Sequence, residues 1–319
     1  MDLDVATLGE ALIGLDSGGG RIESARTLTK SVGGAESNTV IGLARLGHRT
    51  AFIGRVGDDP FGREVERTLR GEGVDVTRLV RDVSRPTGLL LKERWDSRVS
   101  VYYHRTMSAG SALEASDVDV DLVSRARVLH VTGVTLALGQ GPRKAALAAA
   151  TAARAAGVTV SLDANFRHKM GTPEELVGQF HDLAPLADHI LLSWSDAVVC
   201  ARSAEEAAVH DYACGLAAPT VVVKGPRGGA RAFVDGQLAA EVEPSPVVVA
   251  DPVGAGDGFA VGYLHGVLTG ADVQTRLGIG AWVAGRVVGH LGDYEGLPLA
   301  AELAAELAAE AGPRPGVAR

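Results

Sequence analysis

Short apolar runs rich in β-branched residues alternate along this chain with segments of helical spacing, and that rhythm limits the fold more than any other feature. Val5-Ala6-Thr7-Leu8, Ala51-Phe52-Ile53, Val128-Leu129-His130-Val131, Val158-Thr159-Val160-Ser161-Leu162, His189-Ile190-Leu191-Leu192 and Thr220-Val221-Val222-Val223 read as buried strands. Between them, Ser37 to Leu46, Phe61 to Gly71, Pro142 to Ala156 and Phe259 to Leu268 read as helices, and Gly47, Gly71 and Gly157 stand where helices stop. The pattern predicts an α/β fold, a mainly parallel sheet covered by helices on both faces.

Two stretches, 14–32 and 87–107, contain no good helix. The second alternates polar and apolar residues in Leu89-Leu90-Leu91-Lys92-Glu93-Arg94 and Val99-Ser100-Val101-Tyr102-Tyr103. Alternation marks a sheet with one covered face, so these stretches are expected to form a small antiparallel sheet outside the main one, a candidate lid. Leu299 to Glu310 reads as an amphipathic helix, and 312–319, with two prolines, as a disordered tail.

The chain has 319 residues, 46% hydrophobic and 22% charged, with a formal net charge of −8. That excludes disorder as the main state and gives nucleic acid no overall attraction. Cys200 and Cys214 are too few to staple a fold of this size and read as reduced thiols. Met1-Asp2-Leu3-Asp4-Val5 lacks the basic start of a secretory signal, and no uncharged apolar stretch reaches ~18 residues. The expectation is a cytoplasmic enzyme without nucleic-acid or membrane partners. Trp95, Trp194 and Trp282 are too separated for a base-stacking platform, and a phosphate loop of the Gly-Lys type is excluded because that dipeptide never occurs. The nine histidines show no metal-ligand spacing, and His130 reads as a hydrogen-bonded core residue.

Chemistry concentrates in Asp251-Pro252-Val253-Gly254-Ala255-Gly256-Asp257-Gly258, after the extended run Val247-Val248-Val249 and before a helix. Small residues let backbone approach a ligand, and a helix start aims amides and its positive dipole end at an anion. Asp257, in the first turn, can take a proton from a hydroxyl attacking phosphorus. Alone, the loop is read equally well as a glycine-rich turn whose aspartate caps a helix. A second motif, Gly33-Gly34-Ala35-Glu36-Ser37-Asn38, enters a helix whose first turn offers amides, a hydroxyl and a side-chain amide for sugar hydroxyls. Alone, it could be only a capped helix.

Together, Gly33-Gly34 with Asn38 and the ending Ala44-Arg45-Leu46-Gly47, then Asp251 through Asp257, resemble the two signature regions of the ribokinase-like (PfkB) carbohydrate kinases. The resemblance covers nearly the whole chain. It implies a single domain over 1–319, a three-layer α/β/α core with a small β-sheet lid. It also implies phosphoryl transfer from ATP carrying Mg²⁺, with Asp257 as base and the Gly254, Ala255 and Gly256 amides as anion hole. Tyr103-His104-Arg105, Asp163-Ala164-Asn165-Phe166-Arg167 and Gly292-Asp293-Tyr294-Glu295-Gly296-Leu297-Pro298 are similar to 2-keto-3-deoxygluconate kinases. By that likeness Tyr103, Arg105, Arg167 and Asp293 join residues 33–38 around a sugar acid. Arginine suits a carboxylate, being planar and permanently charged.

For the nucleotide, the resemblance points to Asn165, Ser193 with Asp196, Lys224-Gly225-Pro226-Arg227-Gly228-Gly229, Gly254 and Gly256. No direct protein ligand to a metal is expected, and the resemblance leaves open whether K⁺ binds near Asp251. The chain departs from the pattern in Ser193-Trp194-Ser195-Asp196, which carries a shorter acid, around Ala281, where an asparagine is common, and after Thr87-Gly88, where an aromatic residue gives way to Leu89. A kinase for ribose, fructose or a nucleoside, and a non-catalytic sugar or nucleotide sensor, are the alternatives. A homo-oligomer formed through the lid is a further expectation.

Overall fold

The computed structural model describes residues 2–95, 98–225, 229–244 and 247–311. In chain order the elements are β1 (Leu3–Gly9), β2 (Leu12–Asp16), β3 (Thr29–Gly33), α1 (Ala35–Arg45), β4 (Thr50–Gly57), α2 (Pro60–Gly71), β5 (Asp75–Asp82), β6 (Leu89–Trp95) and β7 (Arg98–His104). They continue with α3 (Val120–Arg125), β8 (Ala126–Thr132), α4 (Gly133–Ala137), α5 (Gln140–Ala155), β9 (Thr159–Asp163), α6 (Pro173–Leu183), β10 (His189–Ser193), α7 (Trp194–Ala201) and α8 (Glu206–Gly215). Last come β11 (Thr220–Lys224), β12 (Ala230–Val234), β13 (Gln237–Val242), α9 (Ala255–Leu268), α10 (Val273–Val288) and α11 (Ala300–Ala311).

Nine strands form the main sheet in the order β13-β12-β11-β10-β9-β8-β1-β4-β5. It is parallel from β11 through β5, and only β12 and β13 add antiparallel at one edge. Side chains alternate between faces along each strand. Ile190, Leu192, Val221 and Val223 therefore join one core with α3, α5, α6 and α8, while Leu191 and Val222 join the other with α1, α2, α9 and α10. The result is the expected three-layer arrangement. His130 is buried with Nδ1 3.2 Å from Ser161 Oγ, and burial lowers its pKa to about 4, so it is neutral in the core.

A second sheet, ordered β3-β2-β6-β7, is built from the two stretches that lacked helices. Its outer pairs are antiparallel, but the central β2–β6 pair is parallel, which corrects the expectation of a purely antiparallel sheet. The two hairpins come from segments separated by α1, β4, α2 and β5, and that crossing returns the chain to the same end of the sheet. Residues 247–249 form no strand, and Val248 is almost fully exposed. The expected tail at 312–319 lies outside the described residues.

Candidate active site

Asp163, Ser193 and Lys224 end the adjacent parallel strands β9, β10 and β11. Open α/β sheets collect ligand groups at this carboxyl edge, because the turns leaving it face one crevice. Lys224 Nζ donates to Asp163 Oδ2 at 2.6 Å, and a Cβ on Gly256 would lie 3.6 Å from the same nitrogen. A lysine ammonium thus stands beside the glycine turn that opens α9. Gly254 adopts φ 84°, a left-handed conformation natural to glycine, and no side chain caps the helix start. The first α9 amides and Lys224 together make an electropositive corner.

Asp257 sits in the first turn of α9 and is buried. Asn38 Nδ2 of α1 donates to its Oδ2 at 2.9 Å, and Asn165 Nδ2 donates to Oδ1 at 3.1 Å. Burial raises the Asp257 pKa to about 7, against the opposing pull of Arg167 and Asn38. A carboxyl poised there is matched to taking and returning a proton at neutral pH. Asn38 Oδ1 is buried without a hydrogen-bond partner among the described residues, an acceptor available to a ligand hydroxyl.

Asn38 and Asp257 line a cavity roofed by the small sheet, whose wall also includes Gly34, Ala35, Lys92, Tyr103, Arg105, Arg167 and Asp293. Period-two alternation turns Leu90 and Lys92 of β6, and Val101 and Tyr103 of β7, toward it, and Leu90 pairs with Tyr103 across the strands. The Arg105 guanidinium lies 5.3 Å from the Tyr103 ring centroid and donates from Nε to Glu10 Oε2 at 2.6 Å. Glu10 is also bonded by Ser108 Oγ, so one buried carboxylate holds both groups. Among the described residues Arg167 makes no ion pair, which leaves its guanidinium the cavity's least neutralised cation.

Not every expected sugar-binding residue reaches this cavity. Glu36 points into the core, where Thr132 and Thr135 hydroxyls each donate to Oε1 at 2.6 Å, and burial raises its pKa despite them. Ser37 Oγ donates to the Gly34 carbonyl at 3.0 Å. Gly33 is packed against the Asp293 carboxylate, where a side chain would collide. Among the expected nucleotide residues, Asn165 instead touches Asp257. Ser193 Oγ caps α7 at Asp196 N, 3.0 Å away, and Gly225 N donates to the Gly229 carbonyl at 2.5 Å. Arg227 and Gly228 lie outside the described residues.

Sequence reasoning missed Glu10, Lys92 and Arg94. A signal existed for Lys92, because the alternation that faces Leu90 inward faces Lys92 inward too. Lys92 is buried, bonded to Asp293 and 3.4 Å from Asp251 Oδ2. Burial alone would lower its pKa, but Asp293 and Asp251 outweigh that and the net shift is upward.

Residues 2–300 match the sequence profile described as pfkB family carbohydrate kinase. The chain is 35% identical over 304 residues to a 2-dehydro-3-deoxygluconokinase of Bacillus subtilis (strain 168), covering 93% of each chain. It is 30% identical over 307 residues to a 5-dehydro-2-deoxygluconokinase of Shouchella clausii (strain KSM-K16), covering 94% of each. The crystal structure of a PfkB protein from Polaromonas sp. JS666 superposes with a TM-score of 0.84 at 36% identity, over 95% of this chain and 99% of that one. The chain belongs to the pfkB family of carbohydrate kinases. No helix among the described residues is long and apolar enough to cross a membrane.

Proposed function

We propose that this kinase transfers the γ-phosphoryl group of ATP to 2-keto-3-deoxygluconate, at its terminal primary hydroxyl, giving 2-keto-3-deoxy-6-phosphogluconate. One observation carries the reading: Asp257, with a pKa of about 7, shares a cavity with Arg105, Arg167 and Tyr103. Arg105 is already paired with Glu10, but Arg167 has no carboxylate partner among the described residues, and a sugar acid supplies one that a neutral sugar lacks.

Asp257 takes the proton of the attacking hydroxyl as the new oxygen–phosphorus bond forms and the bond from the γ-phosphorus to the β-γ bridging oxygen breaks. Amides of Ala255, Gly256 and Asp257 at the α9 start, with Lys224, stabilise charge on the phosphoryl group. Asp163 already holds the Lys224 ammonium, whereas Asp196 is buried with no ion pair among the described residues and has charge reason to welcome a cation. Burial raises the Asp196 pKa, Asp163 raises it further, and Lys224 opposes both. Asp196 would therefore suit Mg²⁺ brought in on nucleotide phosphates, where the ion would supply charge neutralisation. The small sheet acts as a lid that excludes water from the transfer. An ATP-consuming enzyme of this kind works in the cytoplasm. Exposed Trp95 and Tyr102 on the lid strands support a homo-oligomer through that sheet.

A second reading, phosphorylation of 5-dehydro-2-deoxygluconate, is favoured by the relatives of that name and uses the same carboxylate argument. The test is ATP consumption over both acids, ribose, fructose and nucleosides, with the product's phosphate position read by ³¹P NMR. Preference for a neutral sugar or nucleoside overturns the proposal, and no ATP consumption with any acceptor favours a sensor.

A further inference from the structure

Asp251, three residues before Gly254, is fully buried. Its Oδ1 accepts the Val253 N–H at 3.0 Å, which fixes the start of the glycine turn. Its Oδ2 is bonded by the Arg94 guanidinium and approached by Lys92 Nζ at 3.4 Å. Arg94 is held in place from behind, since its Nε donates to Asp16 Oδ2 of β2 at 2.9 Å, and another of its nitrogens is 3.5 Å from the Ala250 carbonyl. Lys92 is likewise held by Asp293. Both cations come from β6, two residues apart, so one face of one strand delivers two positive charges to a single buried carboxylate.

A monovalent cation bound at Asp251 would need the oxygen these side chains use, and would meet two fixed positive charges. The residues present do not fit such an ion. We propose instead that Lys92 and Arg94 are positioning residues, built-in counter-ions of Asp251 that hold the turn from Asp251 to Gly254 in register and make the enzyme independent of added potassium. Because both residues belong to the small sheet, the same contacts tie that sheet to the phosphoryl site. The inference requires a functioning kinase but no particular sugar.

The full-length protein is exchanged into tetramethylammonium buffer, and KCl is titrated at constant ionic strength with whichever acceptor the substrate screen finds. The turnover of the unmodified enzyme is expected to change less than about twofold, whereas activation of about fivefold or more, the lower end of ordinary effector coupling, overturns the inference. Melting temperature in potassium against tetramethylammonium needs no substrate, so it still decides the matter if the substrate reading fails. It should not move for the unmodified chain, and a rise in potassium overturns the inference. Arg94→Gln should lower kcat with little change in either KM and become responsive to potassium, while Arg94→Lys should keep most of the rate. An unchanged kcat in Arg94→Gln, or equal loss in Arg94→Lys, also overturns it.

Discussion

Asn38 and Asp257 lie 219 positions apart in sequence, and their side chains meet at 2.9 Å, Nδ2 donating to Oδ2. Helix α1 thereby orients the proposed base in the first turn of α9. Asp257→Asn should lower kcat by roughly 10²–10⁴-fold, the range a general base supplies, while the protein stays folded by circular dichroism.

The raised pKa of Asp257 sets two pH dependences. Its proton must be gone before it can act as base, so kcat/KM should rise with pH through about 7, and that limb should vanish in Asp257→Asn. Stability runs the other way. The folded state binds this proton more tightly than the unfolded chain does, so the group contributes most at low pH. That contribution is lost as pH rises from the ordinary value of 3.8 to about 7. Melting at pH 8 should therefore find Asp257→Asn at least as stable as the unmodified protein, an advantage absent at pH 4.

Arg105 and Glu10 form a buried pair with side chains 9% and 0% exposed, so removing one strands the other. Arg105→Ala should cost about 3–5 kcal/mol in chemical denaturation, and the double change Glu10→Gln with Arg105→Met should recover much of it. Arg167 lacks such a partner among the described residues, so Arg167→Ala is the cleaner probe of the proposed sugar-acid substrate. Its KM should rise by about 10–100-fold with little loss of stability, the range for a hydrogen bond to a charged group.

Lys224→Ala removes the ammonium between Asp163 and the α9 amides. The KM for ATP should rise by about 10–100-fold, while isothermal titration shows binding of the sugar alone nearly unchanged.

Gly254→Ala forces a side chain into the φ 84° conformation and sets its Cβ 2.7 Å from the Asp293 carbonyl oxygen. The conformational term alone is about 1–2 kcal/mol. A lower melting temperature should accompany a loss of kcat larger than the change in either KM, because the turn that carries the proposed anion-binding amides moves.

Periodicity made most of the parallel sheet legible, because strands buried on both faces are continuous apolar runs such as Val221-Val222-Val223. β5 escaped that signal. Its Asp75-Val76-Thr77-Arg78-Leu79-Val80-Arg81-Asp82 carries the charges of an exposed edge, which resemble loop composition. The parallel β2–β6 pair escaped too, since alternation identifies a one-faced strand but not its partner or direction.

Local chemistry in the sequence was enough to mark Asp257, the glycine turn and the helix start at Gly34 as candidates. A positive-φ glycine and a helix N-terminus act over a few neighbouring residues. What only the tertiary structure decided is which charges neutralise one another. Glu36 is a polar residue in a binding motif by its sequence, yet threonines from β8 and α4 claim it for the core. Lys92 is an ordinary strand lysine by its sequence, yet it meets Asp251 and Asp293 from the other end of the chain. Electrostatic partnership depends on distance in space and on exclusion of water, and neither is written in the order of residues until the strands are laid side by side.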